Sequence, residues 1–372
     1  MGMTGTVAPR ARPSLLMSGR VLMAMSGGVD SSVAAALLVE QGYEVVGATM
    51  KLWAGEDDPF AAHRFGGCCT VGSSEDARRV AHLLDIPYYV LNLQDEFHAR
   101  VVDTFVETYA AGETPNPCAR CNEWIKFRAF LERADELDCD FIATGHYARI
   151  ERDADGRAHL LRGTDERKDQ SYVLGMLTQR ELRRVLLPIG GIEKTETRAI
   201  AAKLGMSVAT KPDSQEICFV EDGDYAKFVI ARAPQMALPG PILSANGEHL
   251  GEHHGLAHYT VGQRKGLGIA APTPLFVSKI DTGSNALVVG PRESLAHAGL
   301  SAHGTTWTQE APPIGAHLGA QLRSHARAHL GTITHIDEDG FAFQFNDPTG
   351  VTPGQMCVLY EGDEVRGAGT IE

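Results

Sequence analysis

The sequence predicts an α/β protein: a doubly wound parallel sheet, then a small β-rich central module, then a C-terminal β-barrel. Three observations predict it. From Val21 to about Val220, apolar strand-like runs alternate with helical repeats, the pattern of βαβ units. Residues 234–274 are rich in Gly, Pro and His, with only short apolar runs. From about Pro291 the helical period disappears and alternation with a period of two replaces it.

The elements follow in order. An apolar run at 21–25 leads to a Gly/Ser turn and an Ala/Leu-rich helical pattern ending at Glu40. Residues 45–50 read as a buried strand. Ser73-Ser74-Glu75-Asp76 reads as a helix start, with apolar residues recurring to Leu84. A strand is expected at 88–93 and a helix at 97–111, ended by Gly112. A helical pattern begins at Glu123, and 141–144 is a strand that stops at Gly145-His146. A parallel sheet gathers ligands at the C-terminal ends of its strands. The turn after 25, the end at Met50 and the end at Gly145 then share one rim. In the barrel, 340–345 alternates and 356–371 reads as a hairpin about Glu361-Gly362-Asp363. The expected division is a disordered tail at 1–19, a nucleotide-binding catalytic domain at 20–223, a central module at 224–290 and a barrel at 291–372.

The turn is Ala24-Met25-Ser26-Gly27-Gly28-Val29-Asp30-Ser31-Ser32. Glycines let the backbone approach a ligand, and the open N–H groups of the helix start favour an anion. Ser26, Ser31 and Ser32 add hydroxyl donors. Asp30 belongs beside phosphates only if it holds Mg2+ or orients the loop. The Gly-Lys-Ser/Thr ending of a Walker loop is missing. The loop resembles the pyrophosphatase-type loop (PP-loop) of ATP enzymes that adenylate a substrate and release pyrophosphate. A plain helix-capping turn is the alternative.

Composition narrows the class. A chain of 372 residues holds two or three domains. Its net charge of −13 argues against nonspecific nucleic-acid binding, though not against a local basic site. No apolar run approaches the ~20 residues that span a bilayer, so no membrane is expected. Residues 1–20 are basic and lack an apolar signal core. The seven cysteines are Cys68, Cys69, Cys118, Cys121, Cys139, Cys218 and Cys357. An odd count without a signal peptide points to a reducing, cytoplasmic compartment.

Thr114-Pro115-Asn116-Pro117-Cys118-Ala119-Arg120-Cys121-Asn122 places two thiols three apart in a proline-stiffened loop before a helix. A helix N-terminus and an Arg lower a thiol's pKa, so Cys121 is expected to be partly thiolate. Asp213-Ser214-Gln215-Glu216-Ile217-Cys218-Phe219 carries another thiol at a polar-to-apolar edge. Two thiols in an ATP enzyme suggest sulfur transfer, one carrying a persulfide and the other attacking or resolving it. A structural zinc site with a fourth ligand, or simple packing, remains open.

At this point the chain resembles the tRNA-specific 2-thiouridylases. The matching segments are the loop at 26–32, Thr114–Pro117 with Cys121-Asn122, Ala143-Thr144-Gly145-His146-Tyr147, Lys168-Asp169-Gln170-Ser171-Tyr172, Asp213-Ser214 with Ile217-Cys218-Phe219, the run 260–268, and Thr352-Pro353-Gly354-Gln355. They span nearly the whole chain. The resemblance implies a PP-loop fold of the adenine nucleotide alpha hydrolase type. It also implies a reaction: ATP with Mg2+ adenylates C2 of the wobble uridine, and persulfide sulfur then displaces AMP. A donor protein would load the persulfide. Cys218 matches the persulfide carrier. Cys121 matches the cysteine that releases the sulfur or pairs with Cys218 in a disulfide. Ala24 to Ser31 would hold the phosphates, Met50 the adenine, and Gly145 the nucleotide. Asn116, Pro117 and Cys118 fall at the target base, which must leave the anticodon stack to be reached. Lys168, Asp169, Gln170, His146 and Gln355 match tRNA contacts.

This chain departs from the pattern at Cys118, where many members carry Asp. His325-Ala326 stands where an Arg–aromatic pair is usual, and the loop at 55–72, with Cys68-Cys69, is longer. Cys118, Cys121 and Cys218 also form a possible three-thiolate set for a [4Fe–4S] cluster with an open iron. Among the other residues, Cys139, Cys357, Trp53 and Trp307 read as packing, and His253, His254 and His258 as surface or loop polar residues, with metal binding the alternative. Gln263-Arg264-Lys265-Gly266 suits a phosphate or a solvated turn. Arg323, His325, Arg327 and His329 alternate as if on one strand face toward tRNA. The competing functions are another adenylating synthetase and a non-catalytic RNA binder that keeps an ATP fold.

Overall fold

The computed structural model describes residues 19–53, 71–212, 217–220 and 223–372. The expectations for the tail at 1–18, for Cys68-Cys69 and for Asp213-Ser214-Gln215-Glu216 lie outside the described residues.

The described N-terminal part centres on a five-stranded sheet. Its strands are β1 (Arg20–Ala24), β2 (Glu44–Lys51), β3 (Tyr88–Asn92), β4 (Phe141–Ala143) and β7 (Val185–Leu186). Their order is β3-β2-β1-β4-β7, and every pairing is parallel. β1 shows why the sheet is covered on both faces. Val21 and Met23 pack against helix α1 (Val29–Glu40) and helix α2 (Val71–Leu83), while Leu22 faces a second core with Phe97, Val101 and Ile125. A strand buried on both faces reads as a continuous apolar run, as this one does.

The helices begin earlier than their apolar patterns. Residues 94–110 are helical, as are 117–136. The second starts at Pro117 rather than Glu123 because Asn116 caps it: Asn116 Oδ1 accepts from Ala119 N at 3.1 Å. Proline needs no donor at the first helical position. The wide turns at Cys121–Ala129 follow an i→i+5 pattern, a local widening frequent at functional sites.

Between β4 and β7 the chain leaves the sheet. Strands β5 (Ala148–Arg152) and β6 (Ala158–Arg162) form a hairpin, and β6 pairs with the C-terminal strand β17 (Glu364–Ile371) through Leu161 and Glu364. The central module is a mixed sheet, ordered β10-β11-β8-β9, of β8 (Gly240–Ser244), β9 (His249–His253), β10 (Phe276–Asp281) and β11 (Ala286–Gly290). The C-terminal strands are β12 (Ala296–Trp307), β13 (His317–Gln321), β14 (His329–Ile336), β15 (Phe341–Gly350), β16 (Met356–Glu361) and β17. They run in the order β12-β15-β14-β13-β16-β17, and β12 pairs back to β17 to close a barrel. Closure leaves these strands no exposed edge. One apolar core runs from Phe127 and Tyr172 through Ile242 and Val277 to Met356 and Val358, so all three parts share it.

Candidate active site

β1 lies between β2 and β4, where the strand order reverses. That reversal opens a crevice at the C-terminal strand ends. The turn after β1 and Gly145 after β4 meet there, with Met50 near the end of β2. A Cβ on Gly145 would stand 2.6 Å from Ser31 N, so only glycine lets the two loops touch. Gly27 has φ +69, and a Cβ there would stand 2.0 Å from Ser73 O at the start of α2. The serines knit the turn closed. Ser26 N donates to Ser31 Oγ at 3.1 Å, and the two hydroxyls lie 3.2 Å apart. Ser31 and Ser32 donate to Gly28 O. Val29, Asp30 and Ser31 form the first turn of α1, whose N–H groups lack partners within the helix. The turn therefore presents open helix-start N–H groups beside two hydroxyls, an arrangement that favours an anion.

Asp30 is held from outside the loop. Lys194 Nζ lies 2.7 Å from both of its oxygens, and the Tyr147 hydroxyl lies 2.8 Å from Oδ1. Tyr147 also reaches Thr197 Oγ1 at 2.9 Å. The Lys194 side chain is 10% exposed and that of Asp30 31%, so the lysine end of the pair is the more desolvated. Lys211 Nζ bonds Gly27 O at 3.0 Å and Asp76 at 2.9 Å. Two ammonium groups therefore converge on the Gly/Ser turn and its aspartate. Sequence reasoning missed both lysines: Glu193-Lys194-Thr195-Glu196 reads as an ordinary helix start. The arrangement favours the loop-orienting role of Asp30. As the loop's carboxylate, Asp30 also has the oxygen chemistry for Mg2+ brought in with nucleotide phosphates.

Cys118 lies in the first turn of the 117–136 helix and is exposed, whereas Cys121 lies one turn further on and is buried. The position beside the open N–H groups thus belongs to Cys118, a correction to the expectation for Cys121. Cys218 is half-buried. The next residue, Phe219, anchors it, with ring centroids 5.7, 5.3 and 5.2 Å from Phe97, Phe105 and Phe228. Cys121 belongs to the main core and Cys218 packs against it. No group of three or more His, Cys, Asp or Glu side chains fit to hold a metal occurs among the described residues. Cys118, Cys121 and Cys218 therefore do not fit the [4Fe–4S] expectation in this arrangement.

The residues expected to touch tRNA divide in two. Asp169 is buried and fully engaged: it accepts from Arg162, Gly163 N, Ser171 N and the Ser171 hydroxyl. Gln170 accepts from Tyr147 N at 2.9 Å, fixing the loop after β4. Lys168 beside them is half-buried. His146 is buried against Phe127, 2.7 Å from Thr144 Oγ1. Burial, then the nearby Lys126 charge, depresses its pKa to about 3, so the ring is neutral at physiological pH. Gln355 and Asn116 meet across the molecule, Asn116 Nδ2 to Gln355 Oε1, at 3.4 Å.

Arg264 and Lys265 occupy an exposed turn, and a Cβ on neighbouring Gly262 would lie 3.7 Å from Arg323 Nη2. Arg323, His325 and Arg327 are not on a strand face. β13 ends at Gln321 and the chain turns, with His325 at φ +57 and Ala326 N bonded to Arg323 O. Only His329 begins a strand. A turn between two barrel strands mimics period-two alternation, which is why the sequence misled there. His253 is also not a surface residue: it is buried, with Nδ1 accepting from Gly255 N and Nε2 beside Asn285 O. Cys139 and Cys357 are core thiols, as expected.

Family models match the whole architecture. A tRNA methyl transferase HUP domain matches residues 19–222, a tRNA methyl transferase PRC-barrel domain matches 226–291, and an aminomethyltransferase beta-barrel domain matches 297–371. The tRNA-specific 2-thiouridylase MnmA of Symbiobacterium thermophilum is 51% identical over 95% of this chain and 92% of its own length. That of Magnetococcus marinus is 47% identical over 95% and 98%. Among solved structures, a 4-thiouridine synthetase–RNA complex with bound ATP is 18% identical, covers 58% of this chain and 51% of that chain, and has a TM-score of 0.34. A likeness that faint bears on neither fold nor function.

Proposed function

This chain belongs to the tRNA-specific 2-thiouridylase family, and we propose that it converts the wobble uridine of tRNA to 2-thiouridine with ATP. The crevice carries the reading: a closed serine–glycine loop, an open helix start and two lysines gathered at one sheet switch point. ATP phosphates sit on residues 24–31, with adenine toward Met50 and Gly145. The C2 oxygen of uridine attacks the α-phosphorus and pyrophosphate leaves, which turns a poor leaving group into AMP. The terminal sulfur of a Cys218 persulfide then attacks C2, and AMP departs. The Cys121 thiol, giving up its proton as it reacts, attacks Cys218 Sγ, forming a disulfide and releasing 2-thiouridine; a thiol reductant restores both cysteines. Asn116, Pro117 and Cys118 line the base position. His146, Lys168, Asp169 and Gln170 shape the tRNA-facing wall, the buried members from behind.

A persulfide-bearing donor protein supplies the sulfur, and the odd count of seven cysteines supports a reducing, cytoplasmic setting. No helix among the described residues is long and apolar enough to cross a membrane. The persulfide route needs no cluster; iron analysis of anaerobically purified protein tests the [4Fe–4S] alternative.

The test is nucleoside mass spectrometry of unmodified tRNA incubated with the protein, Mg-ATP and a persulfide donor under argon. ATP-dependent 2-thiouridine, absent with Cys218→Ser although tRNA still binds, is the expected result. ATP cleavage to AMP and pyrophosphate without thiolated uridine would refute the acceptor.

A further inference from the structure

The loop between β15 and β16 of the barrel presses on the segment that leads to the two helix-borne cysteines. Gln355 Nε2 donates to Thr114 O and Pro115 O, both at 3.2 Å, and its Oε1 receives Asn116 Nδ2. Thr114 N donates to Pro353 O at 2.9 Å. Gly354, at φ +84, lies so close that a Cβ there would stand 2.9 Å from Thr114 N and O. The loop is itself held: Arg323 Nη2 donates to Thr352 Oγ1 at 3.2 Å, and the Tyr172 hydroxyl to Met356 O at 2.9 Å.

Asn116 is the hinge of this contact. One end of its side chain caps the helix that carries Cys118 and Cys121, and the other end rests on Gln355. Both donors of the Gln355 amide and one lone pair of its oxygen are thus engaged inside the protein. A side chain used this way has no unengaged N–H to offer a phosphate.

We infer that Gln355 is a positioning residue: it sets the Thr114–Asn116 backbone, and through the Asn116 cap the start of the cysteine-bearing helix, rather than binding tRNA itself. The inference rests on the thiouridylase reading only for its catalytic consequence. The barrel then does more than support substrate; it supplies part of the frame of the reaction centre. Displacements on the order of 1 Å at such a frame cost rates by up to about a hundredfold.

The test compares Gln355→Ala and Gln355→Glu with the parent. Glu keeps the length and the oxygen facing Asn116, but loses both donors and sets a carboxylate against two carbonyls. Both variants are expected to lower kcat for thiolation by about tenfold while the KM for tRNA moves less than about twofold. Amide hydrogen exchange should rise in peptides spanning 112–122 and stay unchanged in β16 and β17, which also reports that the barrel has folded. A raised KM with kcat intact would overturn the proposal in favour of direct tRNA contact. Unchanged exchange at 112–122 would overturn it whatever the kinetics. If the parent protein thiolates nothing, the functional reading fails, and the exchange data still decide the strut.

Discussion

In the parallel sheet, the groups that matter sit side by side in sequence. Ser26, Gly27, Asp30 and Ser31 occupy one turn, and strand order alone brings Gly145 against it. The barrel reaches the cysteine-bearing helix through the loop before β16, where Gln355 meets Asn116 across 239 positions of sequence. The first region builds its turn from residues adjacent in sequence, the second from contacts between segments far apart in sequence. The two should therefore break differently: rim changes stop chemistry or folding at once, whereas barrel changes act by degrees.

The thiols give the largest contrast. Cys218→Ser removes the only atom proposed to carry the persulfide, and thiolation should vanish while the melting temperature holds. Cys357→Ser hides a hydroxyl in the barrel core, where the thiol is fully buried. It should cost about 1–3 kcal/mol of stability and leave turnover per folded molecule unchanged. A Cys218→Ser enzyme that still thiolates would remove the distinction.

Glycines sharpen it next. Gly27→Ala drives a Cβ to 2.0 Å from backbone at Ser73, which cannot yield as a flexible side chain would. A loss of about 3 kcal/mol is expected in denaturant unfolding, with ATP binding lost. Gly362→Ala in the β16–β17 turn, at φ +60 with nothing within 4 Å, meets backbone strain alone. About 1 kcal/mol should suffice there. Equal costs would mean that the contact with α2 is not what demands glycine at 27.

Lys194→Met tests the rim's electrostatics. It leaves Asp30 beside the phosphate cradle without its closest cation, and the KM for ATP should rise about tenfold, the effect of roughly 1.4 kcal/mol. An unchanged KM would assign the pair to structure alone.

The smallest expected effect is opposite in sign in the two regions. Buried His146 is held neutral with a pKa near 3, against an ordinary 6.5. The unfolded chain therefore binds the extra proton between those values, and stability should fall as pH drops from about 6.5. In and beside the barrel, burial pushes Cys357, Tyr360 and Tyr172 upward. The unfolded chain releases their protons first, so stability should fall as pH rises above about 9. Urea midpoints from pH 5 to 10 would show it, and His146→Gln should flatten the acid side only.

The turn after β1 was legible because its requirements are local: positive φ, close backbone approach and an open helix start each demand a residue type at a given offset. So were the closed β-rich C-terminus and the core roles of Cys139 and Cys357, since alternation and burial follow chain period. Lys194 on Asp30 and the β5–β6 hairpin on β17 left no such trace. Nor did Gln355 on Asn116: the family pattern marked its position, not its partner. Arg323, His325 and Arg327 even mimicked a strand while forming a turn. By itself, then, the sequence determined the fold class, the Gly/Ser turn after β1 and the family. Tertiary structure alone decided which distant charge neutralises Asp30, which thiol stands at the helix start, and that a barrel loop packs on Thr114–Asn116. Local backbone geometry repeats along a chain and can be read there; a contact between two side chains exists only once both segments are packed against the same core.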